Sequence, residues 1–193
     1  MIYRLVILLT CVVVFINSCN SLISLQFGTH KLRTFSMETA LSEGIGDSDY
    51  LELSDAWTNG EFYHVPGKHA KDGGLILYPI LSESQVEAVD SGQKVMPYFV
   101  AWTQTFPWEC LEQNNCVKKE KLVITGVIRE LKEEDQQLDQ LPDHYNFDQN
   151  KVVYLEVGRA PTAWYWHLLF LGAAAGIAFA IELVKNKKRL KNE

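Results

Sequence analysis

Residues 164–184 read WYWHLLFLGAAAGIAFAIELV, and the reading of this stretch decides the rest of the chain. As a helix it rises about 31 Å at roughly 1.5 Å per residue, the thickness of a hydrocarbon core of about 30 Å. Leu168 to Ile181 carries no ionisable side chain, but a run of that length also occurs in buried helices of soluble proteins, so the flanks decide. Trp164, Tyr165 and Trp166 stand at one end, where amphipathic rings favour the headgroup level, while Lys185, Lys187, Lys188, Arg189 and Lys191 crowd the other. A soluble core helix has no reason to combine an aromatic collar with a basic one. Residues 164–184 are expected to span a membrane, with 185–193 as a basic tail.

Residues 1–25 hold a second apolar run, LVILLTCVVVFI from Leu5 to Ile16, preceded by Arg4 and followed by Asn17, Ser18, Cys19, Asn20 and Ser21. Two readings follow. In one, residues 1–25 are a retained signal-anchor helix whose polar outer half lies in the headgroup zone or against another helix. In the other, Leu5 to Ile16 is the apolar region of a cleaved secretory signal. Ile16-Asn17-Ser18-Cys19 resembles a bacterial lipobox, with an aliphatic residue three before Cys and a small residue just before it. That resemblance implies lipidation of Cys19 and concerns processing alone. Cys11, inside the apolar run, is expected to be inert.

Both readings put the middle of the chain on one side. Residues 26–163 carry 12 Lys plus Arg against 22 Asp plus Glu, a net of −10, whereas 185–193 carry five bases and one acid. Short basic flanks are retained in the cytoplasm and acidic residues contribute little to orientation, so the Lys/Arg cluster places the C-terminus inside and the middle outside. So acidic a domain is no partner for nucleic acid. The expected partners are the lipid bilayer and, through the C-terminal span, a membrane protein or a second copy of the chain.

The outer region comprises a membrane-proximal segment, 26–48, and a β-rich domain, 49–163. DYLELS (49–54), EFYHV (61–65), GGLILYPIL (73–81), KVMPYFVAW (94–102), KLVITGVI (121–128) and KVVYLEV (151–157) have the length and the Val, Ile, Tyr and Phe content of strands. After Asn59-Gly60, EFYHV is expected to form a hairpin with LELSDAW (51–57) or its neighbour. Pro79 and Pro97 each remove a ladder donor, which predicts edge, bulged or broken strands. Gly126 predicts a bulge or a close strand approach. Two helices are expected in addition: Ser82–Val89, opened by the capping pair Ser82 and Gln85, and Glu130–Leu141, where Leu131, Leu138 and Leu141 form a stripe ended by Pro142. Around Phe35–Leu41 two readings stand equally: a membrane-proximal helix, or an extended arm leading away from the bilayer. The fold class is thus a membrane-anchored β-rich (α+β) extracytoplasmic domain, a small barrel or sandwich, with one C-terminal and one N-terminal transmembrane helix.

Candidate chemistry is sparse. Cys110 and Cys116 flank a polar loop in which Asn114 and Asn115 can turn the chain, and outside the cytoplasm they are expected to form a structural disulfide. Their spacing fits neither a redox pair nor a zinc site. His64, His69 and Asp72 form the densest group of potential ligands or proton carriers, in a Gly/Pro loop that reads as solvent-facing; His144 reads the same way, and His167 joins the interfacial collar. No phosphate loop, zinc-protease pair or nucleophile elbow is present, so no catalytic residue, metal or cofactor is expected. Within the C-terminal span, Gly172, Gly176 and Ala180 recur at four-residue spacing and offer a smooth face on which another helix can pack. Glu182 is expected to reach the interface or pair with a base. These features point to a noncatalytic assembly or interaction subunit. The alternatives are a membrane-tethered hydrolase or redox enzyme built on His64, His69, Asp72 or the Cys pair, and a sensor acting through a partner.

Overall fold

The computed structural model describes residues 2–67, 73–132, 135–148 and 150–190. The chain forms two compact units: the paired terminal helices, and a central domain over Leu32–Ala160.

The helical unit consists of α1 (Ile2–Phe27) and α5 (Trp164–Leu190). Both are long and apolar enough to cross a membrane. They lie side by side in opposite directions, since Arg4 at the start of α1 donates from Nη2 to Ile181 O near the end of α5 at 3.1 Å. The protein is therefore a membrane protein whose central domain lies on one side of the bilayer and whose termini lie on the other.

The domain contains β1 (Arg33–Ser36), α2 (Met37–Ser42), β2 (Tyr50–Asn59), β3 (Tyr63–Val65), β4 (Leu75–Ile80), α3 (Glu83–Asp90), β5 (Phe99–Thr103), α4 (Glu109–Glu112), β6 (Lys119–Ile128) and β7 (Val153–Val157). The seven strands form one mixed sheet in the order β1-β2-β6-β7-β5-β4-β3. β1 runs parallel to β2 and β5 parallel to β7; every other pair is antiparallel. The central strands are covered on both faces, which is why they read as unbroken apolar runs. Ile76, Tyr78, Ile80, Phe99, Ala101 and Leu155 enter one core cluster, while their alternating neighbours Leu75, Leu77, Val100, Trp102 and Tyr154 enter the other.

Neither a barrel nor a sandwich forms. The sheet curls until Trp57 and Leu81 exchange two backbone hydrogen bonds of 2.9 Å, but this single bridge does not extend into a ladder. Pro79 explains why. Leu77 faces Tyr63 of β3 and Leu81 faces Trp57 of β2. By strand alternation Pro79 faces the same side, and its missing N–H falls in the gap where β4 leaves one neighbour for the other.

Two further expectations are corrected. EFYHV does not pair with the strand before it: β3 forms its hairpin with β4, in the register Tyr63–Leu77. The run 94–102 breaks at Pro97, as the proline predicted: Val95 forms an isolated bridge with Tyr145, and β5 starts at Phe99. No α-helix covers Glu130–Leu141 among the described residues; a 3-10 turn at Leu138–Gln140 replaces it. Leu131, Leu138 and Leu141 are nevertheless all buried in the second cluster. Gln136 Nε2 donates to Leu131 O at 2.7 Å, a side-chain bond that takes a carbonyl the helix would have used. By contrast, α3 starts as read: Ser82 accepts from Gln85 N while the Gln85 side chain accepts from Ser82 N, a complete capping box. A helix also forms next to Phe35, at Met37–Ser42, where Met37 and Ala40 join the first core cluster.

Candidate functional site

Burial within the helical unit falls on Cys11 and Ser18 of α1 and on Ala174 of α5. Arg4, Leu8 and Val14 on α1, and His167, Leu171, Ala178 and Ile181 on α5, are half-buried. Both sets recur at three and four residues, the seam of an antiparallel helix pair. Arg4 closes its end, with Nη2 3.2 Å from Glu182 Oε1. Glu182 thus meets a base, Arg4 of the other helix.

Gly172, Gly176 and Ala180 lie away from this seam and are exposed. A Cβ added at Gly172 or Gly176 would meet nothing within 4 Å. At 100° per residue these glycines stand roughly 160° from Ala174, so α1 occupies the opposite side of α5. Trp164, Tyr165 and Trp166 are exposed at the start of α5. Lys185, Lys187, Lys188 and Arg189 are in the last turns of α5, and Lys191 lies outside the described residues.

In the domain, a polar cluster assembles from distant segments. Glu61, just past Gly60 and the end of β2, accepts on Oε2 from Asn59 Nδ2 at 3.2 Å, from His144 Nε2 at 2.8 Å and from the Tyr145 hydroxyl at 2.5 Å. The backbone holds the donors in place: Val95 N donates to His144 O and Asn146 N to Val95 O. Burial first, and then the hydrogen bond to Glu61, push the Tyr145 phenol above its ordinary range, so it is a proton donor at neutral pH. Tyr145 also lines a cavity of about 380 Å³ with Lys94, Leu138, Asp139, Leu141, Asp143 and Phe147. Chemically this is a clasp: three donors converge on one carboxylate oxygen, and they tie the turn after β2 to the segment after Pro142. Sequence reading passed over it because Glu61 and His144 are 83 residues apart.

The other candidates separate. His64 Nε2 donates to Gly73 O at 2.9 Å, and its ring meets Phe106 and Trp108 edge-on. His69 and Asp72 lie outside the described residues. Among the described residues no group of three or more His, Cys, Asp or Glu could hold a metal ion. Cys110 and Cys116 form the expected disulfide, closing a loop in which α4 and Asn114, at φ 51°, make the turn. So short a ring stabilises by about 2 kcal/mol. Cys11 and Cys19 are free thiols. Gly126 is extended and approaches the β7 backbone closely, as its place in β6 suggested.

No known family matches the chain, and no curated protein or solved structure shows significant similarity to it.

Proposed function

We propose that this chain is a noncatalytic assembly subunit of a membrane complex, with its domain outside the cytoplasm and both ends inside. The open Gly172–Gly176–Ala180 face carries the reading. Glycine weakens a helix by about 1 kcal/mol relative to alanine, and close approach of another backbone is what offsets that cost. Because α1 packs on the Ala174 side, the occupant of this face is a helix of another chain. The sidedness rests on the basic run after Val184 and on a disulfide suited to an oxidising compartment.

The test is copurification of the full chain from its own membrane in mild detergent, compared with a Gly172→Leu/Gly176→Leu variant. Partner recovery is expected to fall at least tenfold, because two isobutyl groups hold the backbones apart. Unchanged recovery refutes the docking face. A second reading, a tethered hydrolase, is favoured only by the His144–Glu61 pair beside the cavity. In it, His144 would have to release Glu61 to act as a base.

A further inference from the structure

We propose that the cavity beside Tyr145 binds a small zwitterion, an α-amino acid with an apolar side chain. The site lies wholly within the domain and is independent of the docking face of α5, so either can fail without the other. Its walls come from two segments that the backbone fixes side by side. Val95 N donates to His144 O at 2.9 Å and Asn146 N to Val95 O at 2.8 Å, which sets Lys94 against the stretch from Leu138 to Phe147.

The lining separates by polarity. Leu138, Leu141 and Tyr145 are buried in the second core cluster and make an apolar floor, with the Phe147 ring centred 6.0 Å from that of Tyr145. Lys94, Asp139 and Asp143 are exposed and stand at the mouth. Among the described residues neither Lys94 nor Asp143 forms an ion pair, and Asp139 Oδ2 accepts from the uncharged amide of Gln140 at 3.1 Å. A base and two acids thus share one mouth without neutralising each other.

Simpler ligands each leave part of this lining opposed. A lone cation meets Lys94, a lone anion meets Asp139 and Asp143, and an apolar molecule leaves all three charges unanswered. A metal ion finds no group of three ligands among the described residues. An ammonium for the carboxylates, a carboxylate for Lys94 and an apolar side chain for the floor together answer the whole lining. At about 380 Å³ the cavity is near the small end of ligand sites, which suits a single amino acid better than a nucleotide or a polymer. An aromatic side chain suits the tilted pair of Tyr145 and Phe147 rings.

The experiment titrates L-phenylalanine onto the full chain in detergent, with binding read by saturation-transfer NMR. Two analogues divide the zwitterion: phenethylamine lacks the carboxylate and phenylpropionate lacks the ammonium. Phenylalanine is expected to saturate with a Kd of about 1 mM, and each analogue to bind about tenfold more weakly, because a charged hydrogen bond is lost. Lys94→Gln should weaken phenylalanine about tenfold without weakening phenethylamine, and Asp139→Asn/Asp143→Asn should weaken phenylalanine without weakening phenylpropionate. Neither loss of fold nor uptake by micelles produces that reciprocal pattern. Failure to saturate by about 20 mM phenylalanine overturns the proposal. So does equal binding of phenylalanine and either analogue, or a phenylalanine Kd unmoved in either variant. The analogue series requires no substitution, so a variant that fails to fold leaves the proposal testable.

Discussion

Replacing Gly126 with alanine tests whether the domain is held together where the structure is narrowest. β6 and β7 are joined by only three residue pairs, Gly126–Val157, Val127–Glu156 and Ile128–Leu155, and this short seam links β1-β2-β6 to β7-β5-β4-β3. A Cβ at Gly126 would stand 2.5 Å from Glu156 O, 3.0 Å from Glu156 C and 3.0 Å from Leu155 Cγ, whereas ordinary contacts begin near 3.4 Å. Two of those three atoms are main chain, so no rotamer change relieves the overlap, and the strands must part by about 0.9 Å. Overpacking of this kind costs about 1–3 kcal/mol, and a ladder hydrogen bond lost in the separation adds about 1 kcal/mol. We take about 3 kcal/mol as the central expectation, which for a domain of this size lowers Tm by roughly 9–15 °C. The assay is thermal unfolding of the full chain in detergent, followed by near-ultraviolet circular dichroism. Gly73→Ala is the control: its added Cβ would meet nothing within 4 Å and its φ is ordinary, so its Tm should stay within about 2 °C of the parent. Equal Tm values for the parent and Gly126→Ala would refute the seam.

The helix pairing and the buried phenol make two other outcomes measurable. Arg4 is level with Ile181, so seven residues further along each antiparallel helix Cys11 is level with Ala174. In a Cys19→Ser background, Ala174→Cys should therefore oxidise to an intramolecular disulfide with Cys11 and Gly172→Cys should not, as read by peptide mass spectrometry. Equal yields from the two variants would exclude the seam. Burial pushes the Tyr78 phenol from 10.0 up to about 12. A proton bound more tightly in the folded state stabilises fully below pH 10, and the benefit is lost as pH rises through 12. That is about 3 kcal/mol for this largely buried residue. The urea midpoint should accordingly fall between pH 10 and 12, and Tyr78→Phe should flatten the fall.

The legible parts of this molecule are those decided by local composition. A window of about 20 residues suffices for each span, and Ser82 with Gln85 sufficed for the start of α3. The strand runs of β4, β5 and β7 announced themselves because burial on both faces leaves no polar alternation to interrupt them, whereas β6, with Val123 exposed, was legible from its Val, Ile and Thr content. Pairing was not legible, since β3 could as well have folded back on β2, and only the non-local contact with β4 decides. The leucines at 131, 138 and 141 were read as a helical stripe because offsets of seven and three suit a helix. A chain that turns irregularly while burying three leucines has the same sequence. Glu61 and His144 carried no shared signal at all. In α5, small residues at 172–176 surround the helix, so spacing alone could not tell the buried Ala174 from the exposed glycines beside it.

The polar outer half of α1, which left the N-terminus open to two readings, acquires a position from the helix pairing. Trp164 stands 17 residues before Ile181 along α5, about 26 Å at roughly 1.5 Å per residue. The same distance from Arg4 along α1 reaches Ser21. Asn17, Ser18, Cys19, Asn20 and Ser21 therefore lie within about one turn of the level of the aromatic collar, where polar side chains reach headgroups and water. In a retained helix they need no partner deep in the hydrocarbon, and the residues that resemble a lipobox serve as an interfacial ring. Cleavage before Cys19 has the opposite consequence. It would carry away Arg4, Leu8 and Cys11, take Arg4 from Glu182 and uncover Ala174, so that one span stood where two now pack. The two fates of residues 1–18 thus differ in the folded state of the whole helical unit. The Ala174→Cys crosslink to Cys11 reports on both at once, because it forms only if α1 is retained and packed as described.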